Sequence, residues 1–163
     1  MAATRRIDLS EIPERHPAAV FHDYWRTFCE GQKVLSRERF NPFELPQVIP
    51  WMMILEKHIH HGMTDYRHRL CGTGCVELIG FDPTGLLLTE IMPTHAALRR
   101  QIEFAEVERG GKPVFRQIEM PIPGREFISV FSGLFPVARR SHAVRQLFVV
   151  MAEKSECAHG IRA

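Results

Sequence analysis

The sequence lacks any apolar run that approaches the roughly 20 residues needed to cross a membrane. Its first residues also lack the apolar segment of a signal peptide. The sequence also lacks a large excess of charge of either sign, because 21 lysines and arginines are interspersed with 19 aspartates and glutamates. The basic pairs are scattered and form no patch for a polyanion. These absences predict a soluble, cytoplasmic chain that binds neither membranes nor nucleic acid.

Cysteine is scarce, with four residues in 163: Cys29, Cys71, Cys75 and Cys157. In the absence of an export signal we expect reduced thiols. No Cys-x-x-Cys-His segment occurs, which disfavours covalently attached haem. No serine nucleophile, carboxylate pair or glycine-rich phosphate loop stands at an interpretable spacing. The sequence therefore predicts a binding module rather than an enzyme.

Histidine, by contrast, is concentrated at one place. His58, His60 and His61 fall at a predicted hairpin, with Asp65 and His68 nearby. Strand residues two apart share a face, so His58 and His60 could chelate a metal ion. No cysteine or carboxylate stands at a fixed ligand spacing from them, which favours a solvated hairpin tip. We predict no metal site.

The most informative segment spans residues 66–85. Tyr66, His68 and Leu70 share one face of a period-2 strand. Gly72 then frees the backbone, Thr73 is placed to cap a short helix, and Gly80 ends that helix. The segment predicts a small fold in which a short helix directly follows a strand.

The pattern divides the chain into four parts. Residues 1–16 are charged and interrupted by proline, which predicts a flexible arm. Residues 17–50 are predicted to hold an N-terminal helix and a connector punctuated by prolines. The core follows over 51–152, and 153–163 is predicted to be a loose tail.

Within the core, periodic segments predict five strands and one long helix. The helix is expected from about Thr94, its N-cap, to Glu108, and the strands at 51–59, 65–71, 113–121, 126–138 and 144–152. Both alternating registers of the last two strands are apolar, whereas a sheet with one wet face alternates more cleanly. We therefore expect both faces to be covered, one by the central helices and the other by the N-terminal helix or a partner.

Several short motifs carry a resemblance to a known family. They are Tyr24-Trp25, Ser36-Arg37, Asn41-Pro42, Leu45-Pro46, Arg69-Leu70-Cys71-Gly72-Thr73, Gly80, Thr84-Gly85 and Glu119-Met120-Pro121-Ile122. With the order of elements, they resemble a bacterial PAS domain family that is common in alphaproteobacteria. The resemblance covers roughly residues 20–152. The chain departs from the family at His68, where an aromatic residue is usual, and at Leu35, where proline is common.

The resemblance implies an α+β fold: a five-stranded antiparallel sheet in the order 2-1-5-4-3, helices across one face and an N-terminal helix. It also implies a small-molecule pocket between helices and sheet, and output through a dimer. Some PAS sensors hold haem through a histidine on the long helix, but here the candidate, His95, falls in the first turn of that helix. The Asn-Cys motif of flavin-binding light sensors is absent. The cofactor is left unknown, with haem and flavin disfavoured.

The facing apolar positions and the resemblance together predict a mainly apolar ligand pocket. Its residues are expected to be His68, Leu70, Cys75, Leu78, Ile91, Phe104, Ile118 and Phe131. His68 is expected to be a hydrogen-bonded core group, with a polar contact to the ligand as the alternative. No catalytic residue is predicted.

Two kinds of function remain open. The first is a stand-alone sensory or regulatory module that binds an unknown small molecule and signals through a protein partner. The second is a small enzyme or hydrophobic-ligand carrier that uses the same cavity.

The predicted N-terminal helix carries an aromatic stripe that consists of Phe21, Tyr24, Trp25 and Phe28. We predict that this helix covers the outer face of the sheet and helps to build a two-fold homodimer, because exposed apolar patches mark contact sites.

Overall fold

Antiparallel strands form the centre of the structure, a computed structural model that describes residues 4–29, 34–122, 125–139 and 143–158. The six strands are β1 (Thr4–Ile7), β2 (Met52–His60), β3 (Met63–Cys71), β4 (Val114–Ile122), β5 (Arg125–Arg139) and β6 (Ala143–Glu153). They make one sheet in the order β1-β4-β5-β6-β2-β3. The prediction of five strands is therefore wrong in number, because β1 adds an edge strand. The five predicted strands keep their expected neighbours within the larger sheet.

The helices lie on both faces of this sheet. They are α1 (Pro17–Thr27), α2 (Thr73–Ile79), α3 (Leu88–Ile91) and α4 (Thr94–Gly110), with short 3-10 turns at Leu9–Glu11, Pro42–Glu44 and Ile49–Trp51. Helix α1 packs on β5 and β6 from one side, whereas α4 packs on the same two strands and α2 packs on β6 from the other side. Within the described parts of the chain, no helix is long and apolar enough to span a membrane.

Strands β5 and β6 are apolar on both faces because each face is buried in a separate core. Phe135 and Phe148 lie in the cluster beneath α1. Their strand neighbours Leu134 and Leu147 lie in the cluster beneath α2 and α4. The expectation that both faces are covered is confirmed, and the chain itself supplies both covers.

The prediction of a flexible arm over residues 1–16 is wrong for the described residues 4–16. Strand β1 pairs with β4, with Ile7 opposite Phe115, and Ile7 and Ile12 are buried in the core beneath α1. A four-residue strand is too short to show a reliable period in the sequence. Its place is decided by pairing with a strand more than one hundred residues away. Residues 1–3 lie outside the described residues.

The predicted loose tail is also held where it is described. Strand β6 extends to Glu153, and the backbone N–H of Ala158 donates to the carbonyl of Arg15 over 2.7 Å. Ala158 is buried and belongs to the core beneath α1, so the described end of the chain is attached to the domain. The remainder of the predicted tail, 159–163, lies outside the described residues.

Helix α1 covers the outer face of the sheet, as its aromatic stripe predicted. Phe21 is fully buried and meets Phe135 edge-on, with ring centroids 4.7 Å apart. The indole N–H of Trp25 donates to the carbonyl of Pro136 over 2.9 Å. Both side chains are thus buried against the sheet of their own chain. Tyr24 and Phe28 pack at the border of the same core and remain half-buried.

The hairpin between β2 and β3 is tighter than the sequence predicted. Strand β2 continues to His60 and β3 begins at Met63, so only His61 and Gly62 form the turn. Both turn residues have positive φ, 49° and 73°, as two-residue hairpins with the right-handed twist require.

The start of α2 also differs from the expectation. The residue that precedes α2 is Gly72, and Thr73 is already the first helical residue. In the same way, Thr94 is the first residue of α4 and does not cap it. Gly72 touches the carbonyl groups of Ile49 and Pro50 so closely that a Cβ atom would overlap them. Gly80 ends α2 with φ 92°, as predicted.

Candidate functional site

A cavity of about 310 Å³ lies between the sheet and helices α2, α3 and α4. Its floor consists of residues two apart along neighbouring strands, because alternate side chains of a strand point to the same face. On β4 these are Val114, Arg116, Ile118 and Met120; the other strands contribute Met53, Leu55, Ser132, Leu134, Val149 and Met151. The floor is apolar except at Arg116 and Ser132.

The roof of the cavity is supplied by the helices and the segments between them. Its apolar members are Ile79, Phe81, Leu88, Ile91, Met92 and Phe104. Leu88 and Phe104 are buried, while Phe81 remains 43% exposed at the border. The site thus has the form of a small-molecule pocket: concave, mainly apolar and provided with a few polar groups.

His68 on β3 is one of those polar groups. It is buried, and its Nδ1 lies 2.9 Å from the carbonyl oxygen of Leu86. Because a carbonyl only accepts, Nδ1 carries the proton of this hydrogen bond. Burial lowers the pKa of His68, although the Leu86 carbonyl and Asp65 oppose that change. The ring is therefore neutral near pH 7, which leaves Nε2 as a hydrogen-bond acceptor.

Three charged side chains form the polar end of the cavity. Arg100 and Glu103 lie one turn apart on α4, and Arg116 reaches them from β4. Arg116 forms an ion pair with Glu103, whereas the nearest Arg100 nitrogen is 3.8 Å from Glu103. The Nε of Arg116 is buried and has no hydrogen-bond partner within the described part of the chain. Burial lowers the pKa of Arg100, and Arg116 and Arg99 lower it further against the opposing effect of Glu103.

A buried carboxylate fixes the helices of the roof to the sheet. Asp65 on β3 accepts hydrogen bonds from the Thr89 hydroxyl at 2.5 Å and from the Gln101 amide at 3.1 Å. It also accepts from the backbone N–H of Tyr66 at 2.8 Å. Burial alone would raise the pKa of Asp65, but these hydrogen bonds outweigh it and the pKa is lowered. One ionised side chain thus positions α3 and α4 together.

The far end of α4 is held by a second polar contact. Glu108 accepts a hydrogen bond of 2.7 Å from the Tyr66 hydroxyl and pairs with Lys57 at 3.1 Å. Burial raises the pKa of Tyr66, and the neighbouring Glu108 carboxylate raises it further, so the hydroxyl stays protonated. The roof helix is therefore attached to the sheet through polar contacts with two adjacent residues of β3, Asp65 and Tyr66.

Four of the eight predicted pocket residues line this cavity: His68, Ile91, Phe104 and Ile118. Leu70 does not, because a bulge lies in β3. Ile54 pairs with Leu70 but Leu55 pairs with His68, so Arg69 is an extra residue in the ladder. The extra residue reverses the alternation after His68. Leu70 consequently remains 40% exposed.

The other three predicted residues belong to packed cores. Cys75 and Leu78 lie on α2 and are buried in the core on the same side of the sheet as the cavity. The Cys75 thiol lies 3.9 Å from the Met151 carbonyl oxygen. Phe131 lies on the opposite face of the sheet, where its ring meets His16 at 5.5 Å between centroids. The apolar pattern of β5 is the same on both faces, so it could not tell which side Phe131 takes.

The charged end of the cavity was not predicted from the sequence. Arg116 alternates with Val114 and Ile118 on β4, which was a detectable signal for a shared face. Glu103 and Arg100 share a helix face at a spacing of three. The contact between the helix and the strand could not be detected from either pattern alone.

The histidine-rich hairpin shows no metal-binding geometry in the part of the chain that the structure describes. The rings of His58 and His60 stack with centroids 6.1 Å apart, and His60 meets His61 at 4.0 Å. No group of three or more potential ligands comes together among the residues outside the gaps at 1–3, 30–33, 123–124, 140–142 and 159–163.

A comparison with family models agrees with the order of elements and with the helices that lie over the sheet. The model of the PAS domain matches residues 14–152. The chain belongs to the PAS domain family. The comparisons found no match among curated proteins and none among solved structures. Membership in this family indicates a sensory or regulatory module.

Proposed function

We propose that this PAS domain binds a small ligand in the cavity between its sheet and helices α2–α4, and passes the occupancy of that cavity to a protein partner. The observation that carries the proposal is the cavity itself. Its volume of about 310 Å³ lies at the lower end of the range of about 300–1,000 Å³ for ligand pockets. Apolar side chains surround a few polar groups, an arrangement that combines affinity with orientation.

The contacts of the roof supply the route from ligand to surface. Helices α3 and α4 both line the cavity and both bond to Asp65 through Thr89 and Gln101. A ligand that displaces either helix must lengthen these hydrogen bonds or move the two helices together. We propose that this shared attachment couples the occupied cavity to the exposed face of α4, where a partner would bind.

The test compares two identical substitutions, one inside and one outside the cavity. Ile118→Phe adds bulk to the floor, and Ile102→Phe adds the same bulk to a position on α4 that is 61% exposed. A set of small apolar compounds is screened by thermal unfolding. A compound at a hundredfold excess over its Kd should raise Tm by at least about 5 °C in the unaltered protein and in Ile102→Phe. The same compound should leave the Tm of Ile118→Phe unchanged.

A compound that stabilises all three proteins equally would show that it binds elsewhere, and a set without any stabilising compound would contradict the proposal. The coupling is measured separately by hydrogen exchange with a compound that passes the first test. Amide protection should change in both α3 and α4. Changes confined to the floor strands would contradict the proposed route.

A further inference from the structure

The charged end of the cavity has more positive than negative charge. Arg100 and Arg116 face the single carboxylate of Glu103, and these are the charged side chains among the lining residues of the described structure. His68 is neutral, since burial lowers its pKa. Both guanidinium groups stay protonated near neutral pH. The described lining of the cavity therefore carries one net positive charge, at the end of a site that is otherwise mainly apolar.

The hydrogen-bonding capacity of the two arginines is also incompletely used. Among the residues that the structure describes, the buried Nε of Arg116 has no hydrogen-bond partner, although a buried donor normally finds one. Arg100 stands 3.8 Å from Glu103, which is an ion pair but too long for a hydrogen bond. The carboxylate of Glu103 already forms an ion pair with Arg116. The site thus offers guanidinium donors that a planar anion can satisfy in a bidentate manner.

The rest of the cavity limits the shape of such a ligand. Its floor and roof carry the apolar side chains of Met53, Leu55, Phe104, Ile118 and Leu134. At about 30 Å³ for each water-sized group, a volume of about 310 Å³ holds roughly ten non-hydrogen atoms. A monoanion balances the single excess charge, whereas a dianion would leave a negative charge in an apolar site.

We infer that the cavity takes a monocarboxylate with an apolar body of about ten non-hydrogen atoms, its carboxylate held by Arg100 and Arg116. This inference rests on the proposed function, because it names the ligand class of the same cavity. Arg116 on the sheet and Arg100 on α4 would bind the same carboxylate, so the ligand would join floor and roof next to the ion pair of Arg116 with Glu103.

The experiment uses three probes that share an eight-carbon chain. Octanoate is anionic at pH 7.5, 1-octanol is neutral and octylamine is cationic. Binding to the full chain is measured by calorimetry and by thermal unfolding. Octanoate should bind at least about tenfold more tightly than 1-octanol, since a charge-assisted hydrogen bond exceeds a neutral one by about that factor. Octylamine should bind more weakly than both.

Three variants separate local recognition from bulk charge. Arg100→Met should weaken octanoate about tenfold and leave 1-octanol unchanged. Arg99→Met removes the same charge from the adjacent, exposed position and should leave both affinities unchanged. Glu103→Gln removes the competing carboxylate and should strengthen octanoate binding. A gain of affinity cannot result from misfolding, so this variant keeps the inference testable if an arginine variant is unstable.

The inference is overturned if 1-octanol binds as tightly as octanoate, a result that leaves the proposed ligand cavity intact. Preference for octylamine would overturn it as well, because Glu103 would then be the recognising group. Equal losses of octanoate affinity in Arg99→Met and Arg100→Met would show that binding depends only on net charge. That result would also overturn the inference. If none of the three probes binds, the inference fails, and the comparison of Ile118→Phe with Ile102→Phe decides separately on the cavity.

Discussion

His16 connects the start of α1 to the end of β6 through one imidazole ring. It is fully buried; its Nδ1 accepts the backbone N–H of Ala18 at 3.1 Å and so caps α1. Its Nε2 lies 3.2 Å and 3.1 Å from the carbonyl oxygens of Ala152 and Glu153 on β6, and donates to them. Each nitrogen has a role that only the neutral ring can fill, because a second proton would place a donor opposite the Ala18 N–H.

This geometry predicts a loss of stability in mild acid. Burial lowers the pKa of His16 below its ordinary value of 6.5, although the two carbonyl groups partly oppose that change. The folded state therefore holds fewer protons than the unfolded state, and stability rises with pH. The contribution of the neutral His16 ring to the free energy of unfolding is fully present above about pH 6.5. It is lost as the pH falls from there towards the lowered pKa of His16. Urea unfolding between pH 7.5 and 5.5 measures it.

The matched variants assign the effect to His16. His16→Asn keeps a side-chain acceptor for the Ala18 N–H but cannot titrate, so the pH dependence should become shallower. It should not vanish, because burial also lowers the pKa of His22 and His68. His95→Asn, at an exposed position on α4, should unfold with the same pH dependence as the unaltered protein. An unchanged slope in His16→Asn would contradict the prediction.

At the scale of elements, α1 is a structural cover whose aromatic residues pack inward. Phe21 has ring neighbours on two strands, Phe135 and Phe148, and two further aromatic contacts in Tyr24 and Phe40. We expect Phe21→Ala to lower the free energy of unfolding by about 3–5 kcal/mol, because the buried ring leaves a cavity. Denaturant unfolding gives this value directly.

Phe43→Ala provides the comparison for that substitution. Phe43 is 88% exposed on a 3-10 turn, and the same change there should alter the free energy of unfolding by less than about 0.5 kcal/mol. A small effect at Phe21 would mean that α1 is only loosely attached to the sheet. A large effect at Phe43 would instead indicate a contact made by that residue in solution.

Strand β3 shows how far a sequence period can be trusted within one element. The alternation of Tyr66 and His68 predicted one inward face, and both residues are buried. The single extra residue at Arg69 reverses the next position, so Leu70 faces away from the cavity. A bulge is fixed by pairing with the neighbouring strand, and the sequence of one strand carries no mark of it.

At the scale of the whole molecule, the homodimer predicted from α1 stays a prediction. The residues on which it was based are largely used by the chain itself, since Phe21 and Trp25 are buried against the sheet. Only Tyr24 and Phe28 remain half-buried at the border of that core. Light scattering at micromolar concentration measures the mass in solution. A mass of 18.8 kDa, that of one chain, would contradict the dimer.

The sequence by itself determined the elements whose residues repeat locally. The core strands and α4 follow from periodic apolar residues, and Gly80 ends α2 because few other residues adopt its φ of 92°. The doubled apolar pattern of β5 and β6 determined that both faces of the sheet are covered. These features depend on neighbours in the chain, so local patterns record them.

Only the tertiary structure decided which residues meet. Ile7 and Ile12 are buried in the core instead of lying in a flexible arm, and β1 pairs with β4 at the edge of the sheet. Phe131 faces α1 rather than the cavity. Arg116, Glu103 and Arg100 form the charged end of the cavity only once β4 lies beneath α4. The free energy of an ion pair depends on distance and burial, and both arise from packing between elements that are separate in sequence.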